Sequence, residues 1–411
     1  MLSPEPTTSP FLRAVQRNPW FAGLPIEVAI LSAVAFCVAL GFGIVAPAIP
    51  IFAKTFGVSA LQAGAVVAAF ALVRFTCAPL AGLLLNRLGE RVVLASGLMI
   101  VAASSAVAGL ARSYDQLLVL RGVGGLGSVM FTVSALSLLL HSVGPDDRGR
   151  AAGAYQGGFL LGGIAGPAVG GLVIAHSIRT PFFVYAGTLG MATVVTLLFV
   201  RRTNSEPAAK SNSATRGLGP LKAALANSGY RAALTVNLAN GFTALGLRTS
   251  LVPLFVIEVL HRSRSFAGLA FFITAIVQGL LLLPAGRMAD ERGRKPALLI
   301  GSSVVTLGML ILVVTHGRLL FVVAMIVLGA GGAFLGSAPS AVVGDIVGKQ
   351  RGGSVFALYQ MTSDLGAIVG PLVAGFLVDR LGFGAAFTTG AIVAALALGV
   401  TFAMKETRRS T

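Results

Sequence analysis

Charged residues are scarce in this chain. Asp, Glu, Lys and Arg together make up 11% of its 411 residues, whereas they make up about 25% of a soluble globular protein. Hydrophobic residues account for 55% of the chain, and the mean hydropathy is +0.88. A water-facing surface cannot be built from this composition. The sequence therefore excludes a soluble globular fold and predicts a membrane protein.

Cysteine is nearly absent. The two cysteines, Cys37 and Cys77, fall in apolar stretches, where a free cysteine acts as a small apolar residue, and two such residues exclude a disulfide framework. The four histidines have no metal-ligand spacing, so we predict no metal site and no cofactor. These histidines are His141, His176, His261 and His316.

Long apolar stretches are abundant. Twelve of them reach the roughly 17 to 25 residues that a helix needs to cross a bilayer. They run at about 27–53, 59–85, 92–111, 115–140, 151–175, 181–200, 231–257, 264–288, 296–315, 319–343, 352–377 and 384–404. We therefore predict an all-α membrane protein with twelve transmembrane helices.

The chain repeats itself at an offset of 204 residues. Residues 82–91 resemble 286–295, and the Gly-Pro step at Gly166 and Pro167 recurs 204 residues later. Parallel repeats of apolar segments are typical of secondary transporters. We predict two six-helix bundles with a linker and two tails. The predicted parts are a tail at 1–26, a bundle at 27–200, a linker at 201–230, a bundle at 231–404 and a tail at 405–411.

The basic residues predict the orientation of the spans. Twelve crossings place both termini on one side, and most of the 31 Lys and Arg residues fall on that side, which the positive-inside rule makes the cytoplasm. The net charge of +17 is then a topology signal and an attraction to anionic lipid, so we predict no nucleic-acid partner. Residues 1–26 lack the features of a signal peptide, so we expect the first helix to be retained in the inner (cytoplasmic) membrane.

Two enzyme signatures are excluded by their context. Residues 122–127 fit Gly-x-Gly-x-x-Gly, but a dinucleotide fingerprint follows a strand, and these glycines lie inside an apolar span where small residues favour close helix packing. No Gly-x-x-x-x-Gly-Lys-[Ser/Thr] motif for ATP occurs. We predict that the protein is not an enzyme.

Four ionisable residues lie clearly within the spans: Arg74, Arg121, Arg248 and Asp364. Such residues are costly in hydrocarbon and are usually functional. At about 1.5 Å per residue, Arg74 and Asp364 lie at one level, roughly 16 to 18 Å from the inner helix ends. Arg121 and Arg248 lie roughly 9 Å and 14 Å from the outer ends.

The motifs together resemble the major facilitator superfamily, in particular its drug:proton antiporter branch. The loop motif at 82–91 and 286–295, the Arg-x-x-x-Gly-x-Gly pattern that begins at Arg121, and the pattern Gly-x-x-x-Gly-Pro-x-x-Gly-Gly at 162–171 carry this resemblance. It implies alternating access between two helix bundles. In the family, the second and eleventh helices meet between the bundles, so Asp364 is the expected proton carrier and Arg74 its partner; a static structural pair is the alternative.

The resemblance also places the fourth and seventh helices around a central cavity. Arg121 and Arg248 would give that cavity a positive field suited to an anionic or zwitterionic substrate, unless they bind backbone carbonyls or extend outward. Other polar residues in the spans could bind substrate or bridge helices. These are Gln156, Asn237, Asn240, Gln278 and Gln360.

The conformational motifs contain one departure from the family. The loop between the second and third helices carries Asn86 where relatives have an Asp that contacts the start of the eleventh helix, so this inner latch is expected to be weaker. The glycines of the fifth helix lie four apart, and we expect that face to pack against the other bundle. The expected motif residues are Gly82, Asn86, Arg87, Gly89, Arg91, Gly162, Gly166, Pro167, Gly170, Gly171, Gly286, Asp290, Gly293 and Arg294.

The resulting functional prediction is a monomeric secondary transporter that exports an amphipathic drug-like or metabolite substrate in exchange for protons. The partners are a small-molecule substrate, protons and the lipid bilayer. The alternative is a metabolite uniporter or symporter, or a flippase for a lipid-linked molecule, with the same fold. A substrate sensor is disfavoured because no appended signalling domain is recognisable.

Overall fold

The computed structural model describes residues 23–144, 147–200, 219–347 and 353–407. Within them, twelve helical spans follow one another, and α2 consists of two parts. The spans are α1 (Ile26–Lys54), α2 (Ala60–Thr76 and Ala78–Leu88), α3 (Glu90–Gly109), α4 (Tyr114–Ser142), α5 (Arg148–His176), α6 (Thr180–Phe199), α7 (Ser228–Glu258), α8 (Arg264–Arg292), α9 (Arg294–Val313), α10 (Arg318–Val347), α11 (Gly353–Leu381) and α12 (Phe383–Phe402). A short helix, Gly219–Ala226, precedes α7.

The predicted fold class is confirmed, and each predicted span overlaps its helix along most of its length. Helices are expected here because lipid offers no hydrogen-bond partners, so each spanning segment must satisfy its own backbone. The predicted domain boundaries stay a prediction. Parts of the predicted tails and linker, at 1–22, 201–218 and 408–411, lie outside the described residues.

Local signals set the helix starts. Ser59, Ser113 and Ser263 cap α2, α4 and α8, because each hydroxyl accepts a hydrogen bond from the backbone three residues later. Gly89 and Gly293 precede α3 and α9 with φ values of 80° and 111°, a conformation that residues with a Cβ rarely adopt.

Each bundle has its own apolar core. Phe52 and Phe182 are fully buried in the first half, which comprises α1 to α6, and Tyr230, Phe321 and Phe387 are fully buried in the second, which comprises α7 to α12. The halves meet where α2 packs on α11 and α5 packs on α8. We call the side on which α1 begins and α12 ends the terminus side, and the other side the far side.

Two irregularities were not predicted. The two parts of α2 meet at Cys77 with a bend of 52°. The middle of α7, Gly241–Arg248, is π-helical; π-helical turns inside α-helices are rare and frequently mark functional sites. Both irregularities lie near the middle of their spans.

Candidate functional site

An ion pair joins the two halves near the middle of the spans. Nε of Arg74 in α2 lies 3.4 Å from Oδ1 of Asp364 in α11. The two side chains are 26% and 21% exposed, so the pair is only partly buried although it lies within the spans. Its apolar surroundings include Ala71 and Ala367. The structure therefore brings together the two residues that the sequence placed at one depth.

The bend of α2 begins just beyond this pair. Above it, towards the far side, Gly64 packs directly against the backbone of Pro371. Below it, the segment Ala78–Leu88 turns away and packs on α3 and α4 of its own half. The Arg74–Asp364 pair thus lies at the terminus-side end of the straight part of α2.

Several contacts close the far side between the halves. Nζ of Lys54 at the end of α1 lies 3.2 Å from Oε1 of Glu258 at the end of α7. The carboxylate of Asp379 in α11 accepts hydrogen bonds from the backbone N–H groups of Ala60 and Leu61, at 2.8 and 2.9 Å. This conformation is closed on the far side, and these polar contacts were not predictable from the motifs that the two halves share.

Arg121 and Arg248 lie in different environments. Arg121 is 3% exposed, and its guanidinium stacks on the ring of Phe70 in α2 at 4.6 Å. Arg248 is half-buried at the end of the π-helical segment of α7. Nε of each arginine is buried without a hydrogen-bond partner among the described residues. A buried polar atom without a partner is costly.

The five amide side chains in the spans differ in their surroundings. Asn237 bridges α7 and α11, since its Nδ2 donates to the carbonyl of Tyr359 at 2.6 Å, and Gln278 donates to the carbonyl of Gly332 in α10 at 3.5 Å. Asn240 lines a cavity of about 10 Å³ inside the second half. Gln156 and Gln360 are exposed at positions that the repeat relates, which leaves them the most accessible of the five.

The glycine face of α5 contacts a different partner from the predicted one. A Cβ at Gly166 would lie 2.5 Å from the carbonyl oxygen of Leu40, and Cβ atoms at Gly162 and Gly170 would lie 2.4 and 2.9 Å from backbone atoms of α1. The prediction that this face packs against the other bundle is therefore wrong, because α1 of the same half fills it. At the far-side end of α5, Gly171 contacts Gly268 of α8 in the second half.

Pro167 lies inside the continuous helix α5, and the Cβ position of Gly43 in α1 falls against its ring. In α4, Gly125 packs on the carbonyl of Phe70 and Gly127 on that of Gly97. The packing interpretation of the Gly-x-Gly-x-x-Gly stretch is therefore confirmed.

The two loop motifs on the terminus side differ in their contacts. In the first, Asn86 and Arg87 are exposed, a Cβ at Gly82 would meet open space, and Arg91 donates to the carbonyl of Leu197 in α6. In the second, Arg294 pairs with Asp290 and also with Asp345 of α10. A Cβ at Gly286 would likewise meet open space.

Comparison with known proteins connects this architecture to a family. A model of the Major Facilitator Superfamily matches residues 31–263 and 233–411. The chain is 24% identical over 390 residues to Multidrug resistance protein 1 of Bacillus subtilis (strain 168), which covers 92% of this chain and 96% of that protein. It is 26% identical over 353 residues to Quinolone resistance protein NorA of Staphylococcus aureus (strain MRSA252), with 84% and 88% covered.

The fold also resembles a solved structure. A bacterial homolog of the human lysosomal transporter Spinster, in an inward-facing and unoccupied conformation, superposes with a TM-score of 0.74 over 96% of this chain and 97% of that chain, at 16% identity. The family model covers more than half of the chain, and the fold agrees with it. The chain belongs to the Major Facilitator Superfamily, and it is a multi-pass membrane transporter of small molecules rather than an enzyme.

Proposed function

We propose that the protein exports an amphipathic compound from the cytoplasm in exchange for protons, with Asp364 as the proton carrier. The observation that carries this proposal is the Arg74–Asp364 ion pair, which joins the halves, is partly exposed and lies where α2 bends away. The terminus side is the cytoplasmic side of the inner membrane, by the positive-inside rule. The names of the two multidrug and quinolone resistance relatives support efflux as the direction of transport.

The coupling step is the protonation of one carboxylate. When Asp364 takes up a proton it becomes neutral, while Arg74 keeps its charge, so the attraction between α2 and α11 weakens. In the conformation closed on the far side, Asp364 faces Arg74 at ion-pair distance, as expected after it has released its proton to the cytoplasm. Substrate would then bind from the cytoplasm before the halves rearrange.

The Asp364→Asn variant tests the coupling. An amide imitates the protonated carboxylate, so proton-driven transport should be lost while substrate binding and exchange of labelled for unlabelled substrate survive. Transport into inverted membrane vesicles with and without a proton gradient measures both. Wild-type coupling in this variant would contradict the proposal, and substrate movement that never depends on protons would favour the uniporter or flippase alternative.

The double variant Arg74→Gln with Asp364→Asn separates coupling from a static structural role. If the pair only holds the halves together, each single neutralisation leaves an unpaired charge and lowers stability, and the double variant recovers it. If the pair couples transport, the double variant regains stability but not proton-driven transport. The stability of all three variants in detergent therefore accompanies the transport assay.

We propose further that the substrate carries an acidic or other hydrogen-bond-accepting group. Arg121 and Arg248 form no ion pair among the described residues, and Nε of each lacks an acceptor. A charge-assisted hydrogen bond to either would contribute about 1.5 to 3 kcal/mol. Arg248→Gln should therefore weaken transport of a carboxylate-bearing compound more than that of its neutral analogue. Equal losses would assign Arg248 to folding or gating.

A further inference from the structure

The loop motif of this chain occurs a third time, on the opposite side of the membrane. Residues 375–382 read Gly-Phe-Leu-Val-Asp-Arg-Leu-Gly, against Gly-Leu-Leu-Leu-Asn-Arg-Leu-Gly at 82–89. The closing glycine of each copy also has the same backbone conformation. Gly382 has φ 87° and ψ 174°, and Gly89 has φ 80° and ψ 162°. The third copy ends α11 and begins α12 on the far side.

This third copy is engaged with the other half. A Cβ at Gly375 would lie 2.6 Å from Cα of Leu61, so α11 and the start of α2 touch backbone to backbone. One turn later, on the same face of α11, both oxygens of Asp379 accept hydrogen bonds from the first backbone N–H groups of α2. At the terminus side, by contrast, Gly82 faces open space and Asn86 is exposed.

Asp379, which belongs to the second half, provides hydrogen-bond acceptors for backbone N–H groups in the first turn of α2, which belongs to the first half. The side chain of Ser59 accepts the N–H of Gln62, and Ala60 and Leu61 donate to Asp379. Ala60 is almost fully buried. A negative charge at a helix N-terminus is favourable both as a hydrogen-bond acceptor and through the helix dipole. Opening the far side would separate this charge from these donors.

We infer that Asp379 acts as a far-side latch: its hydrogen bonds to Ala60 and Leu61 hold the far side closed. The latch thereby favours the conformation open to the terminus side. The matching position in the terminus-side copy is Asn86, which has no charge, so the two latches are unequal. The repeat provides an internal comparison, because position 175 in α5 corresponds to 379 and is Ala175. The α5–α8 interface keeps the glycine contact between Gly171 and Gly268, and Ala175 provides no carboxylate at the position equivalent to Asp379.

This inference rests on the alternating access of the proposed function but not on protons or on any substrate. The test therefore uses the purified full-length protein in lipid nanodiscs without substrate or gradient. Spin labels at Arg112→Cys and Arg318→Cys report the far-side separation of the halves, since both positions are exposed and belong to different halves. Cys37→Ser and Cys77→Ala remove the two native thiols.

We expect Asp379→Asn to raise the ratio of open to closed far sides about fivefold, equivalent to ~1 kcal/mol, because the amide lacks the charge at the start of α2 and keeps only one of the two acceptor oxygens. Asp379→Glu should keep more of the closed state than Asp379→Asn. The matched control is Glu258→Gln, which removes the exposed Lys54–Glu258 pair on the same side and should have a smaller effect. Equal effects of Asp379→Asn and Glu258→Gln would overturn the latch.

Two gain-of-function variants test the same idea without weakening any contact. Ala175→Asp places a carboxylate at the equivalent position opposite the start of α8 and should increase the closed far-side population. Asn86→Asp restores the charge at the terminus-side copy and should decrease it, and its effect should add to that of Asp379→Asn. If neither gain variant moves the distance distribution, the inference is wrong, whatever the stability of Asp379→Asn.

Discussion

The loops that join α2 to α3 and α8 to α9 both turn at a glycine with positive φ, but one pair of charged positions differs in sign between them. In the first half, the buried Glu90 bonds to Nδ1 of His141 in α4 at 2.6 Å. In the second half, the positions 204 residues later are Arg294 and Asp345, which pair at 3.1 Å. The acidic and basic partners have exchanged places between the halves.

The neighbouring basic residues repeat without exchange. Arg91 in the first half and Lys295 in the second each donate to a backbone carbonyl near the end of the last helix of their own half, at Leu197 and at Phe402. The repeat therefore preserves the pairing of positions and the anchoring of the loop, while the sign of each charge is free to change. This is expected because a paired charge is stable in either orientation, whereas an unpaired one is not.

The two loops also differ in how many elements hold them. Arg294 contacts both Asp290 and Asp345, and the carboxylate of Glu406 accepts the backbone N–H groups of Arg294 and Lys295 at 2.9 and 3.0 Å. In the first half, Asn86 is exposed and the preceding helix segment is bent. The second-half loop is therefore also held by the segment that follows α12.

Reversing one charge in the first half should have the largest effect. Glu90→Arg places a cation at a site that is 6% exposed, beside His141, and should lower the free energy of unfolding by about 3 kcal/mol. Adding His141→Asp recreates the second-half arrangement and should recover most of that loss. Unfolding in mixed detergent micelles measures both variants. No recovery in the double variant would show that the sign of the charge matters as much as the pairing.

Removing the shared cation of the second half should have an intermediate effect. Arg294→Gln leaves the carboxylates of Asp290 and Asp345 without their common partner, and we expect a loss of about 2 kcal/mol, less than for a fully buried pair because Asp290 is 70% exposed. The control is Arg292→Gln, at an exposed position of the same loop. The same unfolding assay applies, and equal losses in the two variants would contradict the proposed importance of the pairs.

Detaching the chain segment after α12 should have the smallest effect. Glu406→Gln keeps one acceptor oxygen but loses the charge at the start of α9, which should cost about 1 kcal/mol. Lys405→Gln is the neighbouring control, since its backbone N–H, not its side chain, bonds to Ser228. Hydrogen exchange at Arg294 and Lys295 should rise in the first variant only. Unchanged exchange would mean that Glu406 does not hold this loop.

The sequence predicted the features that depend on periodicity and depth. Twelve apolar stretches gave twelve helices, and counting residues along α2 and α11 placed Arg74 and Asp364 at one level, where the structure has an ion pair. Hydropathy is sufficient to predict the spans because the thickness of the bilayer dictates the length of each helix. The depth of a residue then follows from the constant rise per residue.

Features that depend on which helices touch were not predictable in this way. The four-residue spacing of Gly162, Gly166 and Gly170 fits any close neighbour, and only the packing shows that the neighbour is α1. The sequence does contain a signal for Asp379, because residues 375–382 repeat the loop motif, but this copy does not follow the offset of 204 residues that relates the two halves. The stacking of Arg121 on the ring of Phe70 likewise depends on which side chains meet between α4 and α2, and the sequence did not predict it.

The π-helical segment of α7 changes which residues lie on the same face of this helix. A π-helical turn holds more residues than an α-helical one, so over the eight residues Gly241–Arg248 the chain falls behind α-helical rotation by about one residue, or roughly 100°. Residues before and after the segment therefore point in directions that a regular helical wheel would assign wrongly. Deleting a single residue from this segment would restore regular α-helical rotation and would turn one end of α7 relative to the other by roughly 100°.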